Sequence, residues 1–262
     1  MGQSRLKIGV LDSGLGGLSV LPGLSSAFSS ELFYYGDLAN SPFGPKPTEV
    51  VLALTDTICK FLIEKQGVES ILIACNTATS ASVEFLREKY HIPIFGMEPA
   101  IKPAVRDNPK KKVALLATSL TLREAKFDRL KKNIGAEEWI HPVSCDGLSS
   151  LIDNGETKKI QDFLKPILET LKTDGIKPVV LGCTHYTLVK EIIQNLYSDI
   201  ELYDGAEGTI RHIKNRLCPD CEEVKEEGEK PIQIYLNGGT EKDYQMAYYY
   251  LEQLKKEKKH VK

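Results

Sequence analysis

Seven short, mostly apolar runs, several with β-branched residues, punctuate the chain: Ile8–Leu11, Leu32–Tyr35, Ile71–Ala74, Ile94–Phe95, Val113–Ala117, Val179–Leu181 and Ile232–Leu236. Apolar residues stand at consecutive rather than alternate positions in most of them, the pattern of strands covered on both faces in a parallel sheet. Between them lie longer segments with the helical period: Thr48–Lys65, Ala78–Tyr90, Thr121–Ile134, Thr157–Asp174 and Leu188–Leu196. In Thr48–Lys65 the apolar set Val51, Leu54, Ile58, Phe61 and Leu62 recurs at spacings of three and four, enough to line one face. Strands alternating with helices predict an α/β fold with doubly wound, mainly parallel sheets.

The pattern repeats. IGVLDSGLGGLSVL near the start is echoed by VALLATSLTLREAKF from Val113, and ILIACNTATS (Ile71–Ser80) by VVLGCTHYTL (Val179–Leu188). The offset is 105 residues from Ile8 to Val113 and 108 from Cys75 to Cys183. Two pseudo-symmetric halves follow: residues 1–98 with 209–262 as one α/β domain, and 99–208 as the other. The turn-rich Met97–Val105 segment is the expected, extended crossing between them.

Composition narrows the function. A net charge of −2, from 34 Lys+Arg against 36 Asp+Glu, lacks the basic footprint of a nucleic-acid binder. Apolar stretches of five or six residues are too short to span a membrane, and the start has no secretory h-region. The expectation is a cytoplasmic protein. Six cysteines in 262 residues are too few for a disulfide scaffold, so reduced thiols are expected.

Three loops at strand ends hold the candidate chemistry. Asp12-Ser13-Gly14-Leu15-Gly16-Gly17 turns sharply and can aim N–H groups at an anion, or Asp12 at an ammonium group; a dinucleotide fingerprint fails at Ser19. Cys75-Asn76-Thr77 and Cys183-Thr184-His185 each set a thiol between an apolar strand and cap-type residues. A thiol at a helix N-terminus has its thiolate favoured by the dipole and free N–H groups. A lone buried cysteine is a small hydrophobe, but core packing does not require the same cap-like residues after both. Two equivalent thiols from facing halves suit inversion of a stereocentre, in which one group removes a proton and the other delivers one to the opposite face.

LDSGLGGLSV, YGDLANSPFGPKP, IACNTATS and LGCTHYTL, in this order, resemble the glutamate racemase family, within the aspartate/glutamate racemase superfamily; MEPAIKPAV and YDGAEGTIRHI are weaker echoes. The resemblance spans Ile8 to about Ile213. It implies a cofactor-independent isomerase that interconverts L- and D-glutamate for peptidoglycan, with the site in the cleft between two domains, in a homodimer. Motif by motif it implies Cys75 and Cys183 as the acid/base thiols, Cys75 serving D-glutamate and Cys183 L-glutamate. Asp12 and Ser13 would meet the amino group and flanking atoms. Phe43, Gly44, Asn76, Thr77, Thr184 and His185 would line the substrate, with Asp37, Asp153 and His185 tuning the thiols. Where the family usually has Tyr, this chain has Phe43, and Asp153 stands where the family has glutamate. Aspartate or a related acid as substrate, or a non-catalytic small-molecule-binding protein, are the competing readings.

Cys218-Pro-Asp-Cys221 has knuckle spacing but supplies only two ligands, so a turn with two free thiols is expected and no metal site. Cys59 and Cys145 read as structural.

Overall fold

The computed structural model describes residues 6–27, 29–219 and 232–260. Among the described residues, nine strands form two sheets. β1 (Leu6–Asp12), β2 (Ser30–Gly36), β3 (Ser70–Ile73), β4 (Ile94–Gly96) and, from the far end of the chain, β9 (Ile232–Leu236) make a sheet of order β4-β3-β1-β2-β9. β5 (Val113–Ala117), β6 (Ile140–Ser144), β7 (Pro178–Leu181) and β8 (Glu201–Asp204) make a second, of order β6-β5-β7-β8. Every pairing is parallel. Without β9, the two sheets share one topology: the second strand, the first, the third, the fourth. The repeat read from the sequence is thus a repeat of architecture, and each cysteine motif follows the third strand of its half.

Consecutive apolar residues serve two cores at once. In β3, Leu72 and the following Ala74 join one cluster with Ile8 and Val10 of β1, whereas Ile71, Ile73 and Cys75 join another on the opposite face. In β5, Ala114 and Leu116 face one side and Val113, Leu115 and Ala117 the other. This is the doubly covered sheet that the runs predicted.

β6 and β8 escape the apolar-run criterion, and both are edges. IHPVS and ELYD each pair with a single neighbour, and β6 carries Pro142, a residue confined to edges because it donates no ladder bond. The helix expected over Thr121–Ile134 is two, Ser119–Arg123 and Ala125–Asn133, broken where Glu124 turns extended (φ −69°, ψ 137°). Its carboxylate there accepts a 2.6 Å bond from Thr48 Oγ1 in the other half. The Met97–Val105 crossing is extended only briefly, since a helix starts at Ile101, with Pro103 in its first turn. The second connection between halves runs beside it: a Cβ at Gly205 would collide with the Glu98 carbonyl oxygen. No helix among the described residues is long and apolar enough to cross a membrane.

Candidate active site

In the first half, β1 ends on Asp12, which is fully buried. Its Oδ1 accepts from the Gly14 N–H at 3.0 Å, and Tyr34 OH donates to the Gly14 carbonyl at 2.6 Å, so the glycine loop is pinned from both sides. Beyond β3, Cys75 caps the helix Asn76–Lys89, its Sγ accepting from Ala78 N at 3.4 Å while the thiol lies 3.6 Å from Ser13 Oγ.

The helix end was expected to favour the thiolate. It does not prevail. Burial first, then the charges of Asp12 and Cys183, push the Cys75 thiol up to about 12, against the opposing pull of Ala78 N–H and Ser13. Cys75 therefore rests as a thiol.

In the second half, Cys183 follows β7 and precedes the short helix Thr184–Thr187, with Sγ 3.8 Å from His185 Nδ1. His185 is buried, and its Nε2 lies 2.9 Å from Asp153 Oδ1. Burial pulls this imidazole down, but the Asp153 charge and the hydrogen bonds to Asp153 and Cys183 outweigh it, so it is raised well above its ordinary value. An imidazolium thus stands against the second sulfur. One half presents a protonated thiol, the other a sulfur with a cation beside it.

The halves interlock around these groups. Thr184 Oγ1 donates to Asp12 Oδ2 at 2.9 Å, and Asp153 Oδ1 also accepts from Leu15 N at 3.1 Å. Ser41 Oγ lies 3.5 Å from Asp153 Oδ2. Thr77 Oγ1 meets Thr118 Oγ1 at 2.8 Å, and Thr118 Oγ1 meets Thr121 Oγ1 at 3.0 Å. A Cβ on Gly14 would come within 2.5 Å of Asp153 Oδ2, and one on Gly44 within 2.9 Å of Thr118 Cβ. Asn76 Nδ2 is buried with no hydrogen-bond partner, a donor with its bond still to make.

Asp37 was read as tuning a thiol, but its carboxylate accepts from Asn40 Nδ2 (3.0 Å to each oxygen) and Asn237 Nδ2 (2.7 Å), and it organises the loop ahead of Phe43. Phe43 is 1% exposed as a residue, its ring in the apolar cluster that includes Cys75. Thr118 and Thr121 were not singled out in the sequence. The signal was the echo itself, since Ala117-Thr118-Ser119 at the end of β5 occupies the place of Asp12-Ser13-Gly14 at the end of β1. Cys218 is disulfide-bonded rather than free, and Cys221 lies outside the described residues.

Cys59, Cys75 and Cys145 are free, buried, and each held up to about 12 by burial, against an ordinary value of 9.0. Between these values the unfolded chain sheds protons that the folded chain keeps, so this contribution is intact below about pH 9 and is lost as pH rises toward 12. Buried Tyr34 and Tyr186, also held up, add to the loss above about pH 10. Urea midpoints should therefore fall between pH 8 and pH 10.5. Cys59→Ala/Cys145→Ala should reduce that fall; an equal fall in the variant would contradict the assignment.

The profile of the Asp/Glu/hydantoin racemase family matches residues 35–213. A glutamate racemase of Leptospira borgpetersenii serovar Hardjo-bovis is 53% identical over 216 residues, covering 82% of this chain and 83% of the relative. One from Clostridium acetobutylicum is 41% identical over 214 residues, covering 80% and 83%. Among solved structures, Escherichia coli glutamate racemase in complex with L-glutamate and the activator UDP-MurNAc-ala superposes with a TM-score of 0.77 at 26% identity, covering 95% of each chain. With one thiol motif in each topologically equivalent half and these relatives beside it, the chain belongs to the Asp/Glu/hydantoin racemase family.

Proposed function

We propose that this protein is a glutamate racemase that moves the α-proton of glutamate between two thiols, Cys75 and Cys183. The observation that carries the reading is the pair of cysteines at equivalent strand ends of two halves, one beside Ser13 and the other 3.8 Å from the His185 ring. The domains are residues 1–98 with 209–262, and 99–208, each contributing one sulfur to the cleft. With L-glutamate bound, the Cys183 thiolate, opposite the His185 imidazolium, takes the α-proton and becomes a thiol. The electron pair left on the α-carbon, delocalised into the adjacent carboxylate, takes the Cys75 proton from the other face. D-glutamate results, with the Cys75 sulfur as thiolate, and the reverse reaction starts from that form.

The remaining roles follow from position. Asp12 and Ser13 border the amino group. The free Asn76 amide, Thr77, the Thr184 backbone N–H and the backbone of Phe43 and Gly44 supply donors for the two carboxylates, and Asp153 holds His185. Burial of both sulfurs keeps water from intercepting the carbanion.

We place the enzyme in the cytoplasm, supplying D-glutamate for peptidoglycan and so for cell-wall biogenesis and cell shape, and we expect a homodimer. Tyr248 and Tyr249, each 55% exposed on helix Glu241–His260, provide apolar area for a partner subunit. Sedimentation should show twice the 29.2 kDa chain mass; a monomer at working concentration would remove that part.

Polarimetry of the purified protein with L-glutamate and with L-aspartate, without added cofactor, tests the substrate. Decay of rotation to zero with glutamate and slow or no change with aspartate is expected. The opposite order would assign the aspartate reading, and no change with either would leave a binding protein.

A further inference from the structure

The loop that carries Phe43 and Gly44 is strapped by the strand that the repeat lacks as well as by its own half, where Asp37 N donates to Asp12 O at 3.1 Å. It begins at Asp37, a residue 2% exposed whose carboxylate has amides as its hydrogen-bond donors: Asn40 from within the loop and Asn237 from 200 residues away. Asn237 directly follows β9, the one strand without a counterpart in the second sheet. Its backbone joins in, since Ala39 N donates to Asn237 O at 2.8 Å and Asn237 N to Gly36 O at 2.9 Å. Gly238, at φ +71°, lies flat on Ala39, and a Cβ there would sit 2.7 Å from Ala39 Cβ. The segment so strapped continues into Ser41, against Asp153, and Gly44, against Thr118, both in the second half.

We propose that Asn237 is a positioning residue for the substrate loop, and that the C-terminal strand and its Asn-Gly-Gly turn complete a site whose thiols come from the repeat. Asn237 touches none of the reacting groups. It neutralises no charge either: its amide dipole serves Oδ1 of a buried carboxylate whose two oxygens both accept from Asn40, and together they fix where the loop enters the cleft. An amide is required because a second carboxylate at this distance would repel the first, while an alkyl side chain would leave Asp37 short of a donor. The inference rests on the racemase reading only for its kinetic consequence.

Asn237→Ala should raise KM for glutamate about tenfold in both directions and leave kcat within about twofold, because the loop positions ligand while the thiols are untouched. Asn237→Asp should lower kcat/KM by about 100-fold. Combining it with Asp37→Asn restores one donor facing one acceptor and should recover at least about tenfold of that loss. Hydrogen exchange over residues 37–44 should speed up in Asn237→Asp and slow again in the double variant, a readout independent of turnover. If the wild type does not racemise glutamate, the racemase reading falls and exchange alone decides the strap. Unchanged exchange in Asn237→Asp, or a double variant no better than the single one in exchange and kinetics, would overturn the proposal. Should Asn237→Asp fail to fold, Gly238→Ala, which wedges Ala39 without altering the amide, should speed exchange over the same residues, and its failure to do so would equally overturn it.

Discussion

Cys75→Ser and Cys183→Ser are each expected to lower racemisation by about 10³-fold or more, with the fold intact. A positioned proton-transfer group contributes about 10²–10⁴-fold, and a serine hydroxyl in the same place ionises far less readily than a thiol. The two losses should differ in kind. With Cys75 replaced, Cys183 and His185 still serve one face, so the variant should exchange the α-hydrogen of L-glutamate with solvent without inverting it. With Cys183 replaced, the same idle exchange should be confined to D-glutamate. Proton NMR in deuterated buffer distinguishes the two. Equal residual exchange of both enantiomers by either variant would mean that the thiols are not assigned to separate faces. Cys145→Ala, with the sulfur buried beside Val143, should keep near-normal turnover.

Gly16→Ala should be nearly as damaging, although it removes no functional group. The methyl would lie 2.5 Å from both His185 N and His185 Nδ1, and 2.7 Å from Thr184 Oγ1. The first of these atoms is backbone, so no side-chain rotation relieves the clash. The turn Gly16–Val20 and the helix Thr184–Thr187 must separate, and they belong to opposite halves. Separation lengthens the Thr184–Asp12 bond and the distance between the sulfurs together. A displacement of about 1 Å at a reacting centre costs about 100-fold, so kcat should fall by that order. Thermal stability should drop modestly, since the halves keep their own cores. A variant with normal kcat would show that the halves need not meet here for turnover.

Most of this architecture was legible because parallel strands buried on both faces leave no doubt in a sequence: Ile71–Ile73 and Val179–Leu181 have no polar position to hide. The repeat was legible too, and it led to both thiols before any geometry. What escaped depends on partners distant in the chain or on position in a sheet. IHPVS and ELYD are strands because they border a formed sheet, not because their own residues demand it. Asp37 looked like a thiol-tuning carboxylate until Asn237 supplied its partner from across the chain. The Cys75 helix cap was readable, but its consequence was not. A local dipole favours the thiolate by a modest amount, and burial together with Asp12 overrides it; burial at Cys75 depends on the whole closed cleft.

The central claim, two sulfurs working from opposite sides of one carbon, has a direct measurement. L-glutamate is turned over to a few per cent in deuterated buffer, and the isotope at the α-carbon is read separately in recovered substrate and product by chiral separation and mass spectrometry. With two thiols, one abstracting and the other donating a solvent-derived deuteron, the D-glutamate should carry deuterium while unreacted L-glutamate keeps its protium. D-glutamate retaining the substrate's own hydrogen would mean that a single group carries the proton across, and the assignment of Cys75 and Cys183 to opposite faces would be wrong.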